Sequence, residues 1–361
     1  MSNDAIIECV PNFSEGRDIE KVNAIAEAIA SVDGIKLLHI DRGDAANRTV
    51  YTYVGSPEKM VESTFRAIKK ATEIIDMRHH SGEHPRIGAA DVVPFVPIKG
   101  ISLEETAVYA EILSKRVSNE LGIPVYAYEY SAKKKEREKL EYCRKGEYEG
   151  LQKKISTFEG MPDYGPNVYN DSVARTGASV IGARNFLLAV NFNLNTVSES
   201  LASMIAADVR DSGRLIDTGL WEKDENSLWV KKIDGRPTNI VERMRGPLKG
   251  CKAIGWYIKE YGIAQVSMNI TNMNVVTLAE AFETVSRFAR LRGVRVTGTE
   301  IIGLVPLQAM TDTGKYYLSL QGYNKTTENE QVRTAIRSLS LNDLSVEFDP
   351  MQKIIEYKIK K

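Results

Sequence analysis

Three of the four histidines of this 361-residue chain stand in one short segment, MRHHSGEHPRIG, and none follows His84. Imidazole moves protons in both directions near neutral pH and also ligates metals, so the cluster admits more than one chemistry. His80 and His84 are four apart and would share a helix face as a zinc pair. However, Gly82 and Pro85 oppose an unbroken helix there, and the HExxH pattern is absent. A nucleophilic pairing of Cys9 or another cysteine with His84 is a second possibility, although Cys9 lies in an apolar strand-like run, which suits an inert buried thiol. Acid–base catalysis on a nitrogenous substrate is the third. For that role His84 is the best placed, because Gly82 and Pro85 fix its backbone and Glu83 and Arg86 flank it. His79 and His80 then become outer or solvent-facing groups. Asp41, at the end of a strand predicted to be central, could orient an imidazole or stabilise a cation, and could equally cap a turn.

A rigid scaffold must hold such a loop. Residues 5–10, 35–41, 49–54 and 91–97 read as strands, and Asp18 caps a helix whose Ile19, Val22, Ala26 and Ile29 share a face. Pro57 opens a second helix with Val61, Phe65, Ile68, Thr72 and Ile75 on its stripe. The resulting order β-α-β-β-α-β recurs later: strand 186–193, helix 197–209, strands 252–258 and 264–270, a helix marked by Leu278, Phe282, Val285 and Ala289, and strand 294–304. Two ferredoxin-like halves follow, an α+β (α/β sandwich) fold with helices on one sheet face and the other face free to build a groove. Between the halves we expect a helix over 103–121, a charged helix over 132–142 and the Gly/Pro-bearing stretch 160–177. The segment 212–247 reads as an irregular excursion packed by Trp221 and Trp229. The runs KKKEREK and KKIDGR read as solvated faces, and 354–359 as a last strand after a terminal helix.

Lys plus Arg equals Asp plus Glu at 48 each, which argues against a dedicated nucleic-acid binder while allowing a local basic groove. Three separated cysteines without CxxC spacing suit free thiols in a reducing cytoplasm. Neither a signal peptide nor a membrane-spanning run is apparent, so a soluble cytoplasmic protein is expected.

Long segments resemble the glutamate formimidoyltransferases. They are ECVPNFSEGR, HIDRGDAANRTVYTYVG and above all GEHPRIGAADVVPFVP, then GIPVYAYEYSA, RKGEYEGL, PDYGP, GASVIGARNFLLAVNFNLNT, AIGWYIKEYGIAQVSMNI, GLVPLQAM and the terminal IIEY. The likeness runs through nearly the whole chain in one order. It implies transfer of a formimino group from N-formimino-L-glutamate to tetrahydrofolate during histidine breakdown. It also implies N-terminal (1–184) and C-terminal (185–361) formiminotransferase subdomains around a folate-binding groove or tunnel, and a homodimer; no metal is expected, because the histidine loop lacks a convincing ligand set. By the same resemblance the catalytic histidine falls at His84, with Asp41 assisting. The folate-contacting stretch falls on Gly165, Pro166, Asn167, Val168, Tyr169, Asn170, Asp171, Ser172, Val173, Ala174, Arg175, Thr176 and Gly177. That stretch is a few residues longer than in relatives, and 212–247 is longer than in the mammalian form. The likeness stops where bifunctional members continue into a cyclodeaminase, so that second activity is not expected.

Arg48, Arg86 and Arg184 stand beside loop-rich motifs and suit the carboxylates of glutamate or the folate tail, and Asn12 suits a hydrogen bond to substrate. Two other activities fit the same residues: processing of 5-formyltetrahydrofolate, and folate binding without turnover.

Overall fold

Alternation along Arg48–Gly55 sorts the first sheet into two faces: Tyr51 and Tyr53 are fully buried in one, while Arg48, Val50 and Thr52 point to the other. A computed structural model describes residues 5–44, 46–82, 84–215, 221–223, 225, 229–233, 236–238, 243–259, 261–344 and 348–360. The chain divides into two compact units, Met1–Phe186 and Leu187–Lys361.

In the first unit the strands are β1 (Ile6–Cys9), β2 (Asn12–Phe13), β3 (Lys36–Gly43), β4 (Arg48–Gly55), β5 (Ala90–Lys99), β6 (Val125–Glu129) and β7 (Ser179–Ala183). Pro11, without an N–H, separates β1 from β2, and both pair with β4 and β5. The sheet runs β3-β4-β1-β5-β7-β6, antiparallel up to β5 and parallel beyond it. Its first four strands have the split order of a ferredoxin-like unit, with a parallel pair added. Helices α1 (Ile19–Ala30), α2 (Pro57–Ile74) and α3 (Leu103–Leu121) cover one face over Ile7, Cys9, Phe13, Tyr51, Val93 and Phe95. As expected, Asp18 caps α1 by accepting the amides of Glu20 and Lys21. On the other face, over β5–β7–β6, a smaller cluster joins Val92, Tyr126, Tyr128 and Val180 to Leu151, Ile155 and Val173.

The second unit has β8 (Leu188–Leu194), α7 (Glu199–Val209), β9 (Lys252–Ile258), β10 (Ile263–Ile270), α8 (Leu278–Leu291) and β11 (Val296–Ile302). Its sheet, β9-β10-β8-β11, is antiparallel throughout and repeats the ferredoxin-like order. Val190, Phe192, Val266 and Met268 form its buried face. The opposite face holds amides: Gln265 Nε2 donates to Asn193 Oδ1 at 2.8 Å, and Asn193 and Asn191 donate to Asp343 and Glu300 at 3.1 Å. Helices α9 (Leu307–Leu320) and α10 (Glu328–Ser338) complete this unit. Among the described residues no helix is long and apolar enough to cross a membrane.

Five sequence expectations change. Among the described residues strand β3 pairs with β4 alone, so the strand carrying Asp41 is an edge and not central. Residues 354–359 are not a strand: Ile354 bridges Val305 once, then Ile355–Lys360 is helical, and the Glu356 carboxylate accepts the Leu307 amide at the start of α9. β-Branched residues are only a weak prior where no strand edge continues the pairing. The charged helix over 132–142 is a 3-10 turn, Lys135–Glu138, followed by a short α-helix, Leu140–Cys143. Arg137 within KKKEREK is not solvated but buried, forming an ion pair with Asp163 at 2.6 Å and donating to Met161 O at 2.5 Å. The excursion 212–247 contains short strands, including the antiparallel set Trp221–Lys223, Trp229–Ile233 and Arg236–Thr238. Its packing by the two indole rings, and the exposure of KKIDGR, lie outside the described residues.

Candidate active site

Three loops of the first unit converge on Asn47, which adopts the left-handed conformation (φ 46°) that Asn tolerates better than most residues. Its Oδ1 accepts the Gly16 amide at 3.0 Å, and its Nδ2 donates to Ser81 O at 3.0 Å. Its carbonyl accepts from His80 Nε2 at 2.9 Å. The turn before β4 therefore fastens the loop after β2 to the histidine segment. Gly82 is demanded by close approach: a Cβ there would lie 2.2 Å from Ala46 O.

These bonds separate the roles of the histidines. His80 donates through Nε2, so its Nδ1 is the lone-pair nitrogen, and it accepts from Arg86 Nε at 3.2 Å. Burial holds its pKa below the usual imidazole value. It serves as a strut between Asn47 and Arg86. His79 is exposed in the 3-10 turn Met77–His79. His84 is different. Its Nδ1 lies 2.7 Å from Pro85 O, which can only accept, so Nδ1 carries the hydrogen. Its Nε2 lies 2.7 Å from Arg48 Nη1, which can only donate, so Nε2 presents its lone pair. Burial first, and then the charge of Arg48, keeps this imidazole below its ordinary pKa and hence neutral at pH 7.

Arg48 reaches this position because β4 directs it away from the helices. Asp41 pairs with Val50 and Gly43 with Arg48, which puts the Asp41 and Arg48 side chains diagonally on one face. Asp41 is exposed and acts on Arg48 through space. Both imidazole nitrogens have other partners, so Asp41 does not hydrogen-bond the ring. Asn12 pairs with Val50 and Val92 and shares this face, half-buried. Asp91 is buried beside the cluster, held by Arg144 and by the Ile87 amide at 3.0 Å. Cys9 faces the helices instead, and burial pushes its thiol up to about 12, so a thiolate–imidazole pair with His84 has no geometric support. Among the described residues no group of three or more His, Cys, Asp or Glu side chains could hold a metal ion.

A strap over residues 144–149 closes the arrangement. Arg144 binds Asp91, the Tyr148 amide donates to Arg86 O at 2.9 Å, and the Tyr148 hydroxyl donates to Ala174 O at 2.5 Å. Arg86 is buried, with two bonds to Glu149 at 2.5 and 2.9 Å and one to Glu147 at 3.3 Å. Its guanidinium already binds carboxylates of its own chain. Arg184 sits one residue beyond β7; since Ala183 pairs with Phe95 and Val180 with Val92, it lies roughly 13 Å along the sheet from Val92. It donates to Asn185 O at 2.9 Å.

The stretch 165–177 is pinned at both ends. At one end Asp163 binds Arg137 and accepts the Ala127 amide at 2.8 Å. At the other, Gly88 bridges Gly177, Ala89 N donates to Thr176 O at 2.8 Å, and Ala178 N donates to Ile87 O at 3.0 Å. Gly177 has φ 69°, and a Cβ there would meet the Gly88 Cα at 2.4 Å, so backbone packs directly on backbone. The short helix Asp171–Thr176 is capped by Asn170, and Val173 anchors it in the core, while Asn167 and Val168 are exposed.

The structure thus gathers His84, Arg48, Asn12 and Asp41 on one face, with the end of 165–177 bonded beside the histidine loop; Arg86 acts as a brace, and Arg184 stands apart. Asn47, Asp91 and the strap had no role assigned from sequence. Asn at the end of a turn, a carboxylate opening an apolar strand, and charges flanking the glycine of RKGEYEGL were the available signals.

Family models decide which family the chain belongs to. Residues 6–184 match the N-terminal subdomain of the formiminotransferase domain, and residues 189–360 match the formiminotransferase domain model that follows it. The chain belongs to the formiminotransferase family. It is 41% identical over 354 residues to the formimidoyltransferase-cyclodeaminase of Dictyostelium discoideum, an overlap covering 98% of this chain and 60% of that relative. It is also 41% identical over 323 residues to the glutamate formimidoyltransferase of Thermoplasma acidophilum (89% of this chain, 95% of the relative). The glutamate formimidoyltransferase of Streptococcus pyogenes serotype M1 is 37% identical over 319 residues, with 88% and 95% covered. The chain therefore spans 60% of the length of the formimidoyltransferase-cyclodeaminases it matches. The family resemblance read from the motifs holds, and the two formiminotransferase models meet between residues 184 and 189, beside the division of the compact units.

Proposed function

We propose that this formiminotransferase moves the formimino group of N-formimino-L-glutamate to tetrahydrofolate in histidine degradation. The products are 5-formiminotetrahydrofolate and L-glutamate. The observation that carries this reading is the neutral His84, its Nδ1–H fixed to its own loop and its Nε2 lone pair on the Arg48 face. The names of the two glutamate formimidoyltransferase relatives support the choice of substrate.

A ring nitrogen of the folate attacks the amidine carbon, and the glutamate nitrogen must leave as an amine. His84 Nε2 takes the proton of the attacking nitrogen and returns it to the departing one, so no covalent enzyme intermediate is needed. Asp41 tunes the cation beside the ring, and Arg48 and Asn12 receive the amino-acid part. Residues 165–177 hold the folate next to the histidine loop. The imidazole carries out the proton transfers without a metal. We further propose a cytoplasmic homodimer, the state that the family resemblance implies.

The test is a spectrophotometric assay of the purified chain with both substrates, run beside a formyl donor and with a chelator. Turnover with N-formimino-L-glutamate that survives chelation, and that falls by roughly 10²–10⁴-fold in His84→Ala, is expected. Tight folate binding without turnover would reject the reading. Light scattering should give twice 40.3 kDa.

A further inference from the structure

The bond between Arg48 and His84 conflicts with the proton transfer it adjoins. The Nε2 lone pair accepts from Arg48 Nη1 at 2.7 Å, so it cannot also take a proton from an attacking amine. Nδ1 is no substitute, because its hydrogen is held by Pro85 O at 2.7 Å. The charged neighbours explain why Arg48 rests there. Asp91 is buried and taken by Arg144 and the Ile87 amide. Asp41, on the exposed edge strand, acts on Arg48 through space, and the charge of Arg144 repels it. Among the described residues Arg48 is thus a half-buried cation whose hydrogen-bond partner is a neutral ring.

We propose that Arg48 is a carboxylate-operated switch: a carboxylate of the amino-acid substrate draws its guanidinium off His84 Nε2 and so opens that nitrogen to the attacking amine. The inference rests on the function proposed above and adds an order of events to it. A carboxylate brings a full opposite charge and accepts two parallel bonds from the guanidinium, where the neutral ring accepts one, so the exchange runs toward the substrate. Departure of the cation also makes the imidazole more basic, since the charge of Arg48 holds it down. The substrate's carboxylate thereby contributes to the chemical step as well as to binding, and a donor without it should lose kcat as well as affinity. Arg48 is a positioning residue in this scheme, acting through His84.

The experiment follows the His84 ring by NMR in the full chain with labelled histidine, with and without saturating L-glutamate. In the free protein the ring should hold its hydrogen on Nδ1 and titrate below the ordinary imidazole value. Glutamate should move the titration up. Arg48→Gln should titrate higher already without ligand, respond much less to glutamate, and lose about tenfold or more in kcat. Arg48→Lys keeps a cation but not the bidentate fork, so it should leave the free titration low and blunt the glutamate effect; it also serves if Arg48→Gln fails to fold. Glutamate that perturbs other resonances while leaving the His84 titration unmoved would overturn the switch, as would an Arg48→Gln ring that titrates like the wild type. Turnover and its loss in His84→Ala are read separately, so the switch can fall while the proposed reaction stands.

Discussion

In both units four strands run second-third-first-fourth with helices on one face, yet the opposite faces differ in chemistry. In the first unit Asn12, Asp41 and Arg48 gather there beside the loop that carries His84. In the second, Trp256 Nε1, Gln265, Asn193 and Asp343 form one chain of hydrogen bonds at 2.8–3.1 Å, and Glu300 accepts from Asn191. All four histidines precede residue 187. The comparison teaches that this fold supplies a platform, and that the loops and the residue types on the free face decide what it does.

The largest test of the contrast is His84→Ala, for which we expect a roughly 10²–10⁴-fold loss of kcat with folding intact. Asn193→Leu in the second unit should reverse that pattern. It removes the two bonds that Asn193 makes with Gln265 and Asp343, leaving Gln265 with Trp256 and Glu300 and Asp343 with Thr297, and should cost about 1–3 kcal/mol of stability, read by denaturant unfolding, while leaving the His84 titration alone. If Asn193→Leu moved that titration, the division of labour would be wrong.

Asn47→Ala should cost about 2–3 kcal/mol, since it removes two side-chain bonds and puts a less tolerant residue at positive φ. Asn47→Gly keeps the backbone permissive, so the difference between the two variants isolates the conformational part.

Acid should weaken the first unit before the second. His80 and His84 both have folded pKa values below the usual imidazole value, so the unfolded chain binds protons that the fold refuses. Their contribution is present above about pH 6.5 and is lost as pH falls through the folded values. Burial raises the Asp91 carboxyl, which works in the opposite sense as its own proton binds. Limited proteolysis from pH 7 to 5.5 should cut first within residues 5–186, and earlier cutting in the histidine-free unit would contradict this. The smallest effect belongs to Asp41→Asn. An exposed charge acting through space contributes at most about 1 kcal/mol, so kcat/KM should change less than about fivefold, and the change should shrink further in salt.

How far the sequence disclosed this arrangement depends on the kind of interaction. Periodicity located the strands and helices of both repeats because each buries one face against apolar neighbours. The Gly and Pro around His84 marked the loop, and the long motifs marked the family. What periodicity does not encode is which polar groups meet. Arg86 had the type and setting of a substrate-binding arginine, but Glu147 and Glu149, some sixty residues later, take it. Arg137 looked solvated within a charged run, although Asp163 makes its burial tolerable. The strand expected at 354–359 failed because, among the described residues, a single bridge from Val305 to Ile354 was available to extend.

The two fastenings of residues 165–177 have a consequence for how such a chain can vary. Asp163 fixes the entrance and Gly177 the exit, and the exit is main chain against main chain, beyond the reach of any side-chain change between them. Doubling a loop between fixed ends costs only about 0.6 kcal/mol in closure entropy. Insertions can therefore accumulate around the exposed Asn167 and Val168 without displacing Gly88 or the histidine loop bonded to it. Length in this stretch is thereby a neutral reservoir, free to change while the backbone contacts that seat the histidine loop stay as they are.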